Sequence, residues 1–166
     1  MMPSSKATVS TLEARLGFLL FLAADFMVFA GLLGAGIVLR EGVSAWVTPP
    51  FKEALRSGVP WSAAVLASLA LGLVPWKRGG VSSICLAAAF VGMVLEVILV
   101  VQKGISGSYA ALFLFTSVFV LLHLGGALVW QVGSRFSPGP LFRSFLIFTA
   151  TTGSIAILLL HWPLYS

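Results

Sequence analysis

The sequence predicts an all-α fold, a polytopic membrane protein built as a bundle of five transmembrane helices. The chain has 166 residues, of which 59% are hydrophobic and only 9% are charged. A soluble domain has about 25% charged residues, so these charges are too few to cover a soluble surface. The chain also contains five apolar stretches, each long enough for a helix to cross a hydrocarbon layer of about 30 Å. Lipid is therefore expected to surround the protein.

The five predicted spans form a single transmembrane domain over residues 1–166. Their apolar runs are continuous, whereas the strands of a membrane barrel alternate in polarity and are roughly ten residues long. A helix satisfies its backbone hydrogen bonds internally, as lipid requires. The predicted spans are Leu16–Leu39, Val59–Trp76, Val81–Gln102, Ser108–Val132 and Leu141–Leu160.

The connections between spans are short, apart from the segment Arg40–Gly58. This longest connection is expected to lie at the membrane interface, with Trp46 and Phe51 at headgroup depth. The pair Gly79-Gly80 is expected to form a tight turn between spans two and three. Short turns make successive spans antiparallel neighbours.

Basic residues predict the orientation of the chain in the membrane. Six of them lie on the N-terminal side of a five-span topology and four on the other side, which by the positive-inside rule favours the N-terminus inside and the C-terminus outside. They are dispersed between apolar runs, whereas a nucleic-acid partner needs a concentrated basic face, so none is expected. The N-terminal side carries Lys6, Arg15, Lys77, Arg78, Arg135 and Arg143, and the other side Arg40, Lys52, Arg56 and Lys103.

Small residues within the spans predict helix contacts, because they let backbones approach closely in lipid. Ala24, Gly31 and Ala35 recur at helical spacing in span one, and Gly125 and Gly126 lie in span four.

Three ionisable residues lie within the spans: Asp25, Glu96 and His123. Ionisable groups in a membrane are costly, which makes a functional role the first hypothesis, and a hydrogen-bonded structural role is the alternative. At 1.5 Å per residue, Asp25 and His123 both lie about 4–5 Å to the inner side of the middle of their spans. They form a buried pair if spans one and four touch. Glu96 lies roughly 7 Å to the outer side of its span's middle, too far from Asp25 for a carboxylate dyad.

The two histidines do not predict a haem held by this chain. Axial ligands must face one iron from similar depth, but His123 is near the middle of span four and His161 is at the end of span five. Their mismatch exceeds about 10 Å. His161 is instead expected to anchor the chain at the interface, together with Trp162 and Tyr165. No phosphate loop, metal-ligand cluster or nucleophile–base constellation is found, so no catalytic or metal-binding residue is predicted.

The first span resembles a helix of subunit III of the haem-copper terminal oxidases, the cytochrome c and quinol oxidases. That helix has the form LG-x-x-x-F-[IL]-x-[SA]-[ED]-x-x-x-FAG-x-x-x-A and often ends in Arg. Asp25 stands in the place of the family's acidic residue, which is usually Glu. The matching positions are Leu16-Gly17, Phe21, Asp25, Phe29-Ala30-Gly31, Ala35 and Arg40.

Later segments resemble the same family more loosely. The run Val97–Gln102 is similar to an apolar run that ends in Gln on the family's next-but-one helix. Gly107-Ser108-Tyr109, followed by His123-Leu124-Gly125-Gly126, is similar to its GS…F…H-x-x-H-V-x-x-G helix. His123 then matches the second histidine, and Val120 stands at the first. The family's W-H-F-x-D pattern has no counterpart near Leu146–Ile155.

The resemblance implies a short, divergent five-helix member with an accessory, non-catalytic role in the bacterial cell membrane. Subunit III binds no haem or copper, which belong to partner subunits. It packs against subunit I, holds phospholipid in a cleft and supports proton uptake by the complex. Asp25 would occupy the position of the acid of that lipid cleft. Whether the complex takes electrons from cytochrome c or from quinol stays open.

Three other interpretations stay open at this point. The chain resembles the accessory protein of nitric oxide reductases nearly as well. A small proton-coupled transporter or channel would use Asp25, Glu96 and His123 as a relay, although transporters often contain inverted repeats and none is found here. A purely structural membrane scaffold would tolerate Asp25→Asn in every assay.

Overall fold

A computed structural model describes residues 5–42, 47–74, 79–104, 107–134 and 139–164. These residues form five α-helices and one short 3-10 turn, Trp162–Leu164, without any strand. Each α-helix is long and apolar enough to cross a membrane. The prediction of an all-α, multi-pass membrane protein with five spanning helices is thus confirmed, while its orientation stays a prediction. The helices are α1 (Ser5–Gly42), α2 (Pro49–Leu73), α3 (Gly79–Gln102), α4 (Ser108–Gly133) and α5 (Pro140–His161).

The second helix begins well before the predicted span. Pro49 and Pro50 lie in its first turn, where a backbone N–H has no helical acceptor and proline is therefore tolerated. Phe51 is only 1% exposed and packs edge-on against Tyr109 and Phe113. Phe51 therefore belongs to α2 and not to a connection between spans, while its headgroup depth stays a prediction; Trp46 is outside the described residues.

The third helix also begins earlier than expected. Gly79 and Gly80 belong to its first turn, so the turn predicted at these glycines was wrong. Two positions elsewhere do require glycine: Gly104 and Gly107 have φ values of 107° and 91°, in the left-handed region that other residues rarely adopt.

Consecutive helices run antiparallel, as side-chain contacts along their lengths show. On α2 and α3, a Cβ at Gly72 would lie 3.7 Å from Cys85, and one at Gly58 would lie 3.1 Å from Glu96. The end that holds the last residue of α5 also holds the start of α4 and the end of α3. We call this end of the bundle the His161 end, and the opposite one the Pro140 end.

Buried side chains form two clusters along the bundle. The larger joins residues of all five helices, including Phe29, Met93, Leu124 and Phe145. The smaller lies at the His161 end, around Phe51, Val100, Phe113 and Leu160.

The first helix is peripheral and packs on α4 and α5. Ala24, Gly31 and Ala35 are exposed, and a Cβ at Gly31 would have no atom within 4 Å. The prediction that these small residues make helix contacts was therefore wrong within the described chain. The prediction for span four is confirmed: Cβ atoms at Gly125 and Gly126 would lie 3.6 Å from Phe90 and 3.8 Å from Phe145.

Candidate functional site

Asp25 and His123 form an ion pair between α1 and α4. Asp25 Oδ2 lies 2.7 Å from His123 Nε2, and the two side chains are 15% and 10% exposed. This distance is that of a charge-assisted hydrogen bond. The matching depths predicted this pair on the condition that spans one and four touch, and they do.

The pair exists because α1 lies antiparallel against α4 over several turns. Near the His161 end Gly36 faces Leu112, and near the Pro140 end the rings of Phe18 and Trp130 meet edge-on at 5.9 Å. The ring of His123 is surrounded by aromatic rings, with centroids at 4.3 Å for Phe119 and 6.0 Å for both Phe145 and Phe148. This setting excludes most water from the imidazole.

A second carboxyl–imidazole pair lies nearer the His161 end. Glu96 Oε1 of α3 is 3.2 Å from His161 Nε2 of α5, and the side chains are 1% and 7% exposed. Ser62 Oγ of α2 lies 3.1 Å from the same Nε2 atom. Three helices therefore contribute to one polar cluster.

His161 is the site residue that sequence reasoning misplaced. It was expected at the interface because it ends the apolar run of span five, yet it is buried at 6% exposure. The 3-10 turn Trp162–Leu164 follows it, and Trp162 is 56% exposed. A signal was present, because Glu96 and His161 both fall in the outer half of the membrane under the predicted topology. Ser62 gave no such signal, since serine is common in apolar helices. Tyr165 lies outside the described residues.

Both histidines use their ring nitrogens in the same way. His123 Nδ1 lies 2.8 Å from the Phe119 carbonyl, and His161 Nδ1 lies 2.9 Å from the Ile157 carbonyl, each four residues earlier. A carbonyl oxygen only accepts, so each Nδ1 carries a proton and each Nε2 faces a carboxyl group. Two bare lone pairs at that separation would repel, so one further proton lies between each Nε2 and its carboxyl oxygen.

Each pair is consequently a neutral unit that shares one proton. The proton resides either on the imidazole, as an ion pair, or on the carboxyl group. This sharing explains how Asp25 and Glu96 are accommodated in a low-dielectric bundle where an isolated carboxylate would be very unfavourable.

Buried hydroxyl groups also occur on α4 and α5. Thr116, Ser117 and Thr149 each have a buried oxygen without a hydrogen-bond partner among the described residues. Thr152 donates to the Phe148 carbonyl at 2.8 Å. Near the His161 end, the Tyr109 hydroxyl donates to the Leu160 carbonyl. The interior of the bundle thus carries polar groups over much of its depth.

A cavity of about 200 Å³ opens between α1, α4 and α5 near the His161 end. Its lining is mainly aliphatic, including Leu33, Ile37 and Leu112, while Arg40 and Trp162 contribute a cation and an indole ring. This combination suits a lipid chain whose anionic headgroup lies at the interface.

The two acids within the spans, Asp25 and Glu96, are thus each paired with a histidine. Within those ranges no three His, Cys, Asp or Glu side chains converge on a position that could hold a metal ion. The arrangement can hold, share and exchange protons.

Comparison of the chain with protein-family models and with curated proteins finds no match.

Proposed function

We propose that the chain is an accessory, non-catalytic subunit of a haem-copper respiratory oxidase of the bacterial inner membrane, similar to subunit III. Haem, copper and dioxygen reduction would belong to its partner subunits, with subunit I as the main contact. One observation carries the proposal. The two segments that resemble the family meet, because Asp25 of the first pairs with His123 of the second.

The exposed face of α1 supports a membrane-embedded partner. Ala24, Gly31 and Ala35 lie on the outside of the bundle, and the space beside Gly31 is open. Small residues in a membrane helix allow close approach of another helix. Gly31 and Ala35 belong to the segment that resembles the family, so two positions of that motif lie on the exposed face of α1.

The cavity beside Arg40 supports the lipid-holding role. An acyl chain would lie along Leu33 and Ile37, and Arg40 would bind the phosphate. A structural phospholipid at this position would fill the gap between the peripheral α1 and the rest of the bundle.

The test is purification of the tagged chain from its native membrane in mild detergent. We expect reduced-haem absorption bands and a large, multi-span haem protein in the preparation. Gly31→Leu should remove that partner, whereas Ala87→Leu on the exposed face of α3 should retain it. A colourless chain that purifies alone or as a homo-oligomer would overturn the proposal. A nitric oxide reductase as the partner would assign the chain to that enzyme instead.

A proton-coupled transporter or channel is the second candidate, and the two carboxyl–imidazole pairs favour it. Relays of acidic and histidine side chains are typical of proton pathways in membranes. The reconstituted chain would then carry protons across vesicles without any partner, and Asp25→Asn or Glu96→Gln would abolish the flux. Vesicles that remain proton-tight would exclude this function.

A further inference from the structure

The cluster of Ser62, Glu96 and His161 has no role in the proposed accessory function. It joins three helices, α2, α3 and α5, while α1 and α4 supply the Asp25–His123 pair. In both pairs the histidine Nδ1 bonds to a carbonyl of its own helix. The other groups around the shared proton differ between the pairs, which indicates that the two protons exchange differently.

Ser62 gives His161 a second hydrogen-bond partner. With the shared proton on His161 Nε2, Ser62 Oγ can accept it while the hydroxyl donates to the Gly58 carbonyl at 3.3 Å. When the proton leaves, the Ser62 hydroxyl can rotate and donate to the bare Nε2. The imidazole therefore keeps a hydrogen bond in both states.

Glu96 gives the cluster an unused acceptor. Its Oε2 atom is buried and has no hydrogen-bond partner among the described residues. A buried carboxyl oxygen without a donor is unfavourable, so a water molecule or a transferred proton would stabilise it. Around His123, by contrast, the described contacts are one carboxyl oxygen, one carbonyl and aromatic rings.

Within the cluster, His161 is at a helix end, whereas Glu96 and Ser62 lie inside α3 and α2. His161 is the last residue of α5, and the exposed Trp162 follows it. From α4, the Tyr109 hydroxyl donates to the carbonyl of Leu160, the residue before His161. At this end α2 carries Lys52, which is half-buried, and the exposed Glu53 and Arg56, and the exposed Lys103 follows α3.

We propose that Ser62, Glu96 and His161 form a proton-exchange site that communicates with water at the His161 end, whereas the Asp25–His123 pair retains its proton. In the exchange, the proton shared by Glu96 and His161 passes to water; this leaves a carboxylate, which a water molecule bound at Oε2 would stabilise, and a neutral imidazole held by Ser62. The reverse step restores the neutral pair. This inference does not depend on the oxidase assignment.

The test uses nitrogen-15 NMR of the full chain, labelled at histidine and embedded in lipid nanodiscs. The chain contains two histidines, so His123→Gln and His161→Gln assign both imidazoles. We expect the His161 Nε2 resonance to shift with the pH of the medium and its proton to exchange with water, while the His123 resonance stays constant. The wild-type chain is sufficient for this comparison, because the His123 resonance is the internal reference for the His161 resonance.

Three variants separate the roles. Ser62→Ala should slow exchange at His161, Glu96→Gln should abolish the pH-dependent shift, and Asp25→Asn should leave His161 unchanged. A His161 resonance that does not move with pH and exchanges no faster than that of His123 would overturn the proposal and leave the cluster a structural hydrogen bond. That outcome would not affect the partner found by co-purification.

Discussion

At the residue scale, the membrane-embedded acids are held by histidines rather than left alone. Asp25 pairs with His123 and Glu96 with His161, and both imidazoles are oriented by a carbonyl of their own helix. The orienting bond places Nε2 toward a neighbouring helix. Each pair therefore links helices while it neutralises a charge.

A double-mutant cycle measures the coupling of the first pair. Asp25→Ala and His123→Ala should each destabilise the chain, and the double variant should be little worse than either one. We expect a coupling free energy of about 1–2 kcal/mol, near the upper end for interhelical hydrogen bonds in membranes, because the bond is charge-assisted. Reversible unfolding in mixed micelles gives the value, and additive effects of the two substitutions would contradict the pairing.

Gly58 is required by the second pair. A Cβ at this position would lie 3.1 Å from Glu96 Cγ, a side chain that is 1% exposed and held by His161. Gly58→Ala should therefore displace the carboxyl group and lower the free energy of unfolding by about 1–3 kcal/mol.

The matched control is Gly72→Ala on the same helix, where the added carbon would meet Cys85 at an ordinary 3.7 Å. This variant should be neutral or slightly stabilising, since alanine favours the helix. Equal thermal shifts for the two variants would show that the Glu96 contact does not limit the packing of α2 on α3.

At the scale of elements, α1 differs from the other four helices. The pair α2–α3 is closely packed through Gly58, Gly72 and Gly92, where a Cβ at Gly92 would lie 3.0 Å from Val65. Over residues 12–42 most side chains of α1 are exposed, and Phe29 is the large side chain that is buried there. Its attachment therefore depends on few contacts, of which the Asp25–His123 bond is the shortest polar one described.

Loss of that bond should loosen α1 while the remaining helices keep their arrangement. Spin labels at the exposed positions Met27 and Leu122 report the α1–α4 distance by pulsed electron resonance. Asp25→Ala should broaden this distance distribution.

Labels at Ala70 and Ile84 provide the α2–α3 control, in a chain whose single cysteine has been replaced by Cys85→Ser. Their distribution should not change, because glycine-mediated packing holds α2 on α3. Broadening at both label pairs would indicate general unfolding instead of a local release of α1.

At the scale of the whole molecule, five helices that are long and apolar enough to cross a membrane predict that residues before α1 and after α5 lie on opposite sides of it. The weak excess of Lys and Arg on the N-terminal side favours the N-terminus inside. Under this orientation the His161 end, with its proton-exchange cluster and the cavity beside Arg40, faces outward.

Reporter fusions at the two termini test the topology. A reporter that is active only in the cytoplasm should function at the N-terminus, and one active only outside should function at the C-terminus. Activity of the same reporter at both termini would contradict the five-span arrangement. If the cytoplasmic reporter is active at the C-terminus and the outside reporter at the N-terminus, the orientation is the reverse. The proton-exchange cluster then lies on the inner side.

The relation between sequence and structure differs between the two polar pairs. Asp25 and His123 were paired by depth, because rise per residue is constant and their helices proved to be closely aligned. For the second pair, depth places Glu96 about 7 Å from the middle of span three and His161 at the end of span five, yet their side chains meet at 3.2 Å. Depth counted from the ends of an apolar run includes neither the reach of side chains nor axial offsets between helices.

The amino-acid sequence by itself determined that this protein is a bundle of five membrane-spanning helices. Composition and the length of apolar runs are sufficient for this, since lipid requires every spanning segment to satisfy its own backbone. Only the tertiary structure decided that Glu96 meets His161 and Ser62, and that the small residues of α1 face outward. Rotation and axial offset of each helix are set by side-chain packing between helices, which no single helix encodes alone.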